Sequence, residues 1–117
     1  MTIRTEAFVE ETRFGNWFLK SGTWKAHVLC RALDDLQAMI PSGQRFARIL
    51  DVGCGFGHSF DELARRFQPD VIVGMDADPG LNERAGAQAR SCASKVELRS
   101  GNAAQMPWPD ASFDMVY

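Results

Sequence analysis

Little in this chain would tie it to a membrane, a nucleic acid or an oxidising compartment. No apolar run approaches the ~18 residues of a membrane span. The opening Met1-Thr-Ile-Arg-Thr-Glu lacks the apolar core of a signal peptide. Basic residues number 13 against 15 acidic ones, a net charge of −2. Neither a nucleic-acid footprint nor a polybasic membrane patch is expected from that balance. The cysteines are three, Cys30, Cys54 and Cys92, odd in number and far apart. They fit reduced thiols of a cytoplasmic protein better than disulfides or a metal site. Cys54 has no activating base beside it, so structural thiols are expected throughout. No Gly-Lys-Ser/Thr closes a P-loop, and there is no internal repeat or low-complexity stretch.

What remains is an ordinary globular composition, 45% apolar and 24% charged, with room for one domain in 117 residues. Residues 5–20 are mixed polar and aromatic, ending in Phe14-Gly-Asn-Trp-Phe-Leu. From Thr23 to Ile40 the pattern is helical, with Leu29, Leu33, Leu36 and Ile40 on one face and Ser21 or Thr23 as cap. A strand is expected at Arg48–Val52, a helix at His58–Phe67, a strand at Val71–Met75 and a helix at Pro79–Cys92. Strands follow at Lys95–Arg99 and Phe113–Tyr117. Such alternation predicts an α/β fold with parallel strands, right-handed crossovers and both sheet faces covered. Ligands of these sheets sit beyond the carboxyl ends of the strands, where strand order reverses.

The most informative stretch is Ile49-Leu-Asp-Val-Gly-Cys-Gly-Phe-Gly57. An apolar strand runs into an acidic residue and then three glycines spaced two apart. Gly53, Gly55 and Gly57 carry no Cβ to keep a ligand from the backbone, and they permit positive φ at the turn. A dinucleotide fingerprint needs its third glycine three places after the second. Position 58 here is His, and the third glycine comes one place early.

Asp-x-Gly-x-Gly-x-Gly resembles the first motif of class I S-adenosylmethionine-dependent methyltransferases. Asp76 at the end of the second strand, Gly101-Asn-Ala, and Pro107-Trp-Pro-Asp-x-Ser-Phe-Asp114 follow in the order and spacing of that family. The likeness covers residues 46–117, and small-molecule methyltransferases of the ubiquinone/menaquinone-biosynthesis type look most similar. It implies a Rossmann-like three-layer sandwich whose full sheet has the order 3-2-1-4-5-7-6. The present chain reaches only strands 3-2-1-4, preceded by N-terminal helices. A truncated piece of a longer chain is therefore expected, with residues 1–45 as an N-terminal lid or substrate-side segment and 46–117 as the cofactor-binding half.

The resemblance implies S-adenosyl-L-methionine as cofactor and a small-molecule methyl acceptor. Asp76 would accept hydrogen bonds from both ribose hydroxyls, with Ala77 beside the adenine and Asp78-Pro79 capping the next helix. Asp51 is either a solvated strand-end carboxylate or, as the family role suggests, the group holding the loop and the cofactor ammonium. The backbone N–H groups around Gly53–Phe56, Cys54 included, would face the cofactor. Asn102 stands where the family often has an aspartate, keeping an acceptor for the adenine amine but no charge. The Ala103 N–H would serve the ring, and Met106 either packs on adenine or joins the core. Trp108 reads as core and Asp114 as structural.

Methyl transfer from a sulfonium is an in-line displacement that depends on alignment in a dry pocket. No general base is evident in the sequence. His27 reads as a surface or core histidine. His58 either caps its helix or meets the cofactor carboxylate, the cap being favoured. The segment Phe14–Trp24 is a lid or, preferably, a helix packed on the domain. Two rivals stay open: a non-catalytic S-adenosylmethionine-binding module, and a Rossmann oxidoreductase, which would need glycine at 58 and usually a Tyr-x-x-x-Lys pair.

Overall fold

A computed structural model describes residues 10–117. The opening hexapeptide read above as lacking a leader core lies outside the described residues. The elements run α1 (Arg13–Leu19), α2 (Gly22–Trp24), a π-helical turn (Lys25–Leu29) and α3 (Cys30–Met39). Then follow β1 (Arg48–Val52), α4 (Ser59–Phe67), β2 (Val71–Asp76), α5 (Leu81–Ser91), β3 (Lys95–Ser100) and the short β4 (Met115–Val116). The sheet has the order β3-β2-β1-β4 and every pairing is parallel. Leu50 is in register with Val73 on one side and Val116 on the other.

Right-handed crossovers dictate what lies on each face. The steps β1-α4-β2 and β2-α5-β3 move in one direction, so their helices share a side. The step from β3 back past β1 to β4 reverses direction, and its connection falls on the opposite side. Side-chain alternation along the strands feeds both layers. Ile49 and Ile72 join Leu33, Phe60, Leu63 and Leu81 under the helices. Leu50, Val73 and Met75 face the other way, against Trp108 and Phe113 of the β3–β4 connection. The rings of Trp108 and Phe113 meet edge to face at 5.2 Å, and the Asp114 carboxylate accepts from the Arg48 N–H at 2.8 Å. Both match the roles expected of them.

Three boundaries differ from the sequence expectation. The long N-terminal helix is interrupted by the π turn, and Ser21 caps it, its Oγ accepting from the Trp24 N–H at 3.3 Å. Helix α5 starts at Leu81 and not at Pro79. The chain first makes a separate turn in which the Leu81 N–H donates to the Asp78 carbonyl. Strand β4 pairs over two residues only.

Gly57 allows α4 to settle on the sheet. Its φ is +78°, and a Cβ there would stand 2.6 Å from the Phe60 ring, itself fully buried over Gly74. Gly55 also has positive φ, +53°, but a Cβ there would meet nothing within 4 Å. Gly57→Ala is therefore expected to lose about 2–4 kcal/mol of stability, left-handed strain plus overpacking. Gly55→Ala should lose about 1–2 kcal/mol, the strain alone. Urea unfolding midpoints of the two variants compare them directly.

Candidate cofactor site

The strand order reverses at β1, and the glycine loop leaves β1 at that point. A cavity of about 350 Å³ opens there, within the range of small-molecule sites. Asp51, Gly53, Cys54, Gly55, Phe56 and Asp76 bound it, together with Trp24, His58, Ser59, Arg84 and Tyr117.

Asp76 is fixed before any ligand arrives. Its Oδ2 accepts from the Gly55 N–H at 2.9 Å and its Oδ1 from the Asp78 N–H at 3.0 Å. A carboxylate has about four acceptor positions, so both oxygens retain a lone pair for a ligand hydroxyl. Asp78 has its own partners, the Gly80 N–H at 2.8 Å and Arg84 Nη1 at 2.7 Å. These hydrogen bonds from Arg84 and the Gly80 amide hold its carboxyl below the usual range. Asp78 is therefore not the helix cap expected of it: its carboxylate serves the turn at Gly80, and α5 begins after that turn with no side-chain cap.

Asp51 lies on the helix side of β1, only 3% exposed, where it accepts a hydrogen bond from Ser59 Oγ. Burial pushes its pKa up to about 6; the Ser59 bond opposes the shift and the nearby Asp76 charge adds to it. A solvated strand-end carboxylate is thereby excluded. Burial, reinforced by Asp51 and Asp76, also pushes the Cys54 thiol up to about 12. Its sulfur fills space beside Gly74 as a neutral group, in line with the structural thiol expected.

The loop amides are arranged differently from expectation. The Gly53 and Cys54 N–H groups both donate to the Met75 carbonyl, at 2.7 and 3.1 Å, and the Gly57 N–H donates to the Cys54 carbonyl. The first two stitch the loop to β2 and the third closes the loop on itself, so none of the three is free to face a ligand. What the loop presents is bare backbone: a Cβ built at Gly53 or Gly55 would enter open space. His58 makes no cap bond; helix α4 begins with Ser59, and the buried Nε2 of His58 has no partner among the described residues. Partial burial and the charges of Lys25 and Lys20 lower its pKa, favouring the neutral imidazole.

Not every residue expected at the site lines the cavity. Gly57 packs under Phe60, and Ala77, Asn102, Ala103 and Met106 lie outside the lining. Asn102 Oδ1 accepts from the Ala104 N–H at 2.9 Å, capping the 3₁₀ turn Ala103–Gln105. One of its acceptor positions is therefore already used. Met106 is 40% exposed, so the core alternative for it is not realised. Conversely, Ser59, Arg84 and Tyr117 were not foreseen. Ser59 carried a faint signal, one turn into the helix after an acidic strand end. Arg84 and Tyr117 carried none.

A buried carboxylate, a pinned strand-end carboxylate, a Cβ-free loop and an unpartnered imidazole fit a ligand with an ammonium, a ribose and a carboxylate. Residues 49–117 match the family described as methyltransferase domain. The trans-aconitate 2-methyltransferase of Deinococcus radiodurans is 32% identical over 83 residues, 71% of this chain and 30% of that protein. The demethylmenaquinone methyltransferase of the same organism is 38% identical over 69 residues, 59% of this chain and 29% of that protein. The solved structure of the YcgJ protein from Bacillus subtilis superposes with a TM-score of 0.61 at 27% identity, covering 74% of this chain and 36% of that one. The chain thus spans about a third or less of the length of the curated relatives named here. With the glycine loop, the strand-end carboxylates and the 3-2-1-4 parallel sheet all in place, it belongs to the methyltransferase domain family, on the Rossmann-like class I fold.

Proposed function

We propose that this chain is the cofactor-binding half of an S-adenosylmethionine-dependent methyltransferase whose acceptor is a small molecule. The observation that carries the reading is the pairing of two carboxylates of opposite character on neighbouring strand ends. Asp76 is pinned by two amides with lone pairs to spare, as ribose hydroxyls require. Asp51 is buried and has one neutral partner, so a cationic ligand group would complete it. Gly53 and Gly55 leave room for the methionine portion against the main chain, and His58 Nε2 offers an unused hydrogen-bonding atom for its carboxylate.

The bound cofactor supplies an electrophilic methyl group on a sulfonium. This chain's residues bind, orient and exclude water; alignment in a closed pocket is worth several orders of magnitude in rate. Trp24, Leu29 and Phe56 give the cavity its apolar wall. The small-molecule acceptor is favoured by relatives named for trans-aconitate and demethylmenaquinone. Titration calorimetry of the full chain with S-adenosylhomocysteine and, separately, with NAD tests the reading. S-adenosylhomocysteine should bind and NAD should not; NAD binding alone, or no binding of S-adenosylhomocysteine, would overturn it.

A further inference from the structure

We propose that Arg84 is a positioning residue, a latch that holds helix α1 across the mouth of the cavity, so that ligand exchange requires α1 to swing open. Three contacts on three elements support this. Arg84 Nη1 meets Asp78 Oδ2 at 2.7 Å, and Nη2 donates to Asn16 Oδ1, on α1, at 2.9 Å. The guanidinium also lies 4.3 Å from the centroid of the Phe56 ring in the glycine loop. One planar group therefore joins α5, the turn after Asp76, the glycine loop and α1. Only arginine has a fork able to make two divergent hydrogen bonds while stacking on a ring.

Among the described residues, little apolar surface fastens α1 instead. The helix has no fully buried residue; Phe14 and Trp17 are 71% and 66% exposed, and only Phe18 and Leu19 turn partly inward. Yet Glu11 and Leu19, before and at the end of α1, both line the cavity, so the helix crosses its opening. Lys20, just past α1, adds a second cation 4.7 Å from the Phe56 ring. A segment held mainly by polar contacts and with no fully buried residue belongs to the low-stability end of a structure, where opening is cheap. The same Phe56 contacts make the glycine loop sense whether α1 is closed. On this proposal the aromatic segment, for which a packed helix was preferred over a lid, acts as a lid with a polar catch.

The latch itself is independent of what the cavity binds; the gating role rests on the cofactor reading above. Millisecond hydrogen exchange on the ligand-free full chain tests the latch. Asn16→Ala and Arg84→Gln should each reduce protection of the amides at 16–21 at least fivefold, with β1–β3 unchanged. The double variant should exchange no faster than Arg84→Gln alone. Arg84→Lys should release α1 too, because one ammonium cannot serve Asp78 and Asn16 together while covering Phe56. Unchanged α1 exchange in Asn16→Ala, or additive effects in the double variant, would overturn the latch. Stopped-flow release of S-adenosylhomocysteine tests the gate: Asn16→Ala should dissociate at least fivefold faster with association no slower. Unchanged dissociation despite faster α1 exchange would overturn gating. A wild-type chain that fails to bind S-adenosylhomocysteine would sink the cofactor reading, while the exchange data still judge the latch.

Discussion

Asp76→Ala should weaken S-adenosylhomocysteine binding about a hundredfold, roughly 2.7 kcal/mol, and Asp76→Asn at least tenfold. Asp76 has two duties. It offers lone pairs to the cavity, and it anchors the Gly55 and Asp78 amides at 2.9 and 3.0 Å. Alanine removes both at once and leaves two amides without their acceptor, at about 1–3 kcal/mol each where they are buried. Asparagine is nearly isosteric, but one end of its side chain is a donor. That end must face either the Gly55 or the Asp78 N–H, so one anchor becomes donor against donor. Calorimetry reads the affinity, and urea midpoints separate a loosened loop from a lost ligand contact. Unchanged affinity in Asp76→Ala would remove this residue from the site.

The site was legible in sequence to the extent that it is made of backbone and strand ends. Gly53 and Gly55 announce an open cradle because a missing Cβ is a property of the residue itself. Asp51 and Asp76 announce themselves by ending apolar strands, whereas the strand order 3-2-1-4 was implied by the family resemblance and not by the alternation of elements. Hydrogen-bond direction was not legible. The Gly53 and Cys54 amides turn toward Met75 because the β1–β2 ladder extends past the strand ends, which spacing alone cannot express. His58 sits at a position that suits a cap, yet its ring lies 6.2 Å from Trp24 and 5.9 Å from Phe56, and these neighbours draw it to the cavity. Arg84 was invisible for another reason. Its partners Asn16, Phe56 and Asp78 are 68, 28 and 6 positions away and carry no common pattern. Helix α5 starts late because the Asp78 carboxylate takes the Gly80 amide, which forms a turn where a capped helix was expected.

Affinity for S-adenosylhomocysteine should be level above about pH 7 and roughly tenfold weaker at pH 5. The cause is Asp51, whose pKa in the ligand-free protein is pushed up to about 6, chiefly by burial. An ammonium binds the ionised carboxylate, so below that pKa each pH unit removes about a factor of ten from the competent population. The linkage has a counterpart in folding. Between the ordinary value of 3.8 and about 6 the native state binds more protons than the unfolded chain. The neutral Asp51 favours the fold at low pH, and that advantage is lost as pH rises through 6, on the order of 3 kcal/mol by pH 7. Asp51→Asn retains an acceptor for Ser59 and carries no charge. Without ligand it should be more stable than wild type by about 1–3 kcal/mol at pH 7.5 and no more stable at pH 4. Its S-adenosylhomocysteine affinity should be at least tenfold weaker at pH 7.5 and lose the acid slope. His58 also titrates below its ordinary range, but its protonation would set a cation against the cofactor carboxylate and strengthen binding in acid, a slope of the opposite sign. A weakening in acid that survives Asp51→Asn would therefore mean that Asp51 is not the group that holds the ammonium.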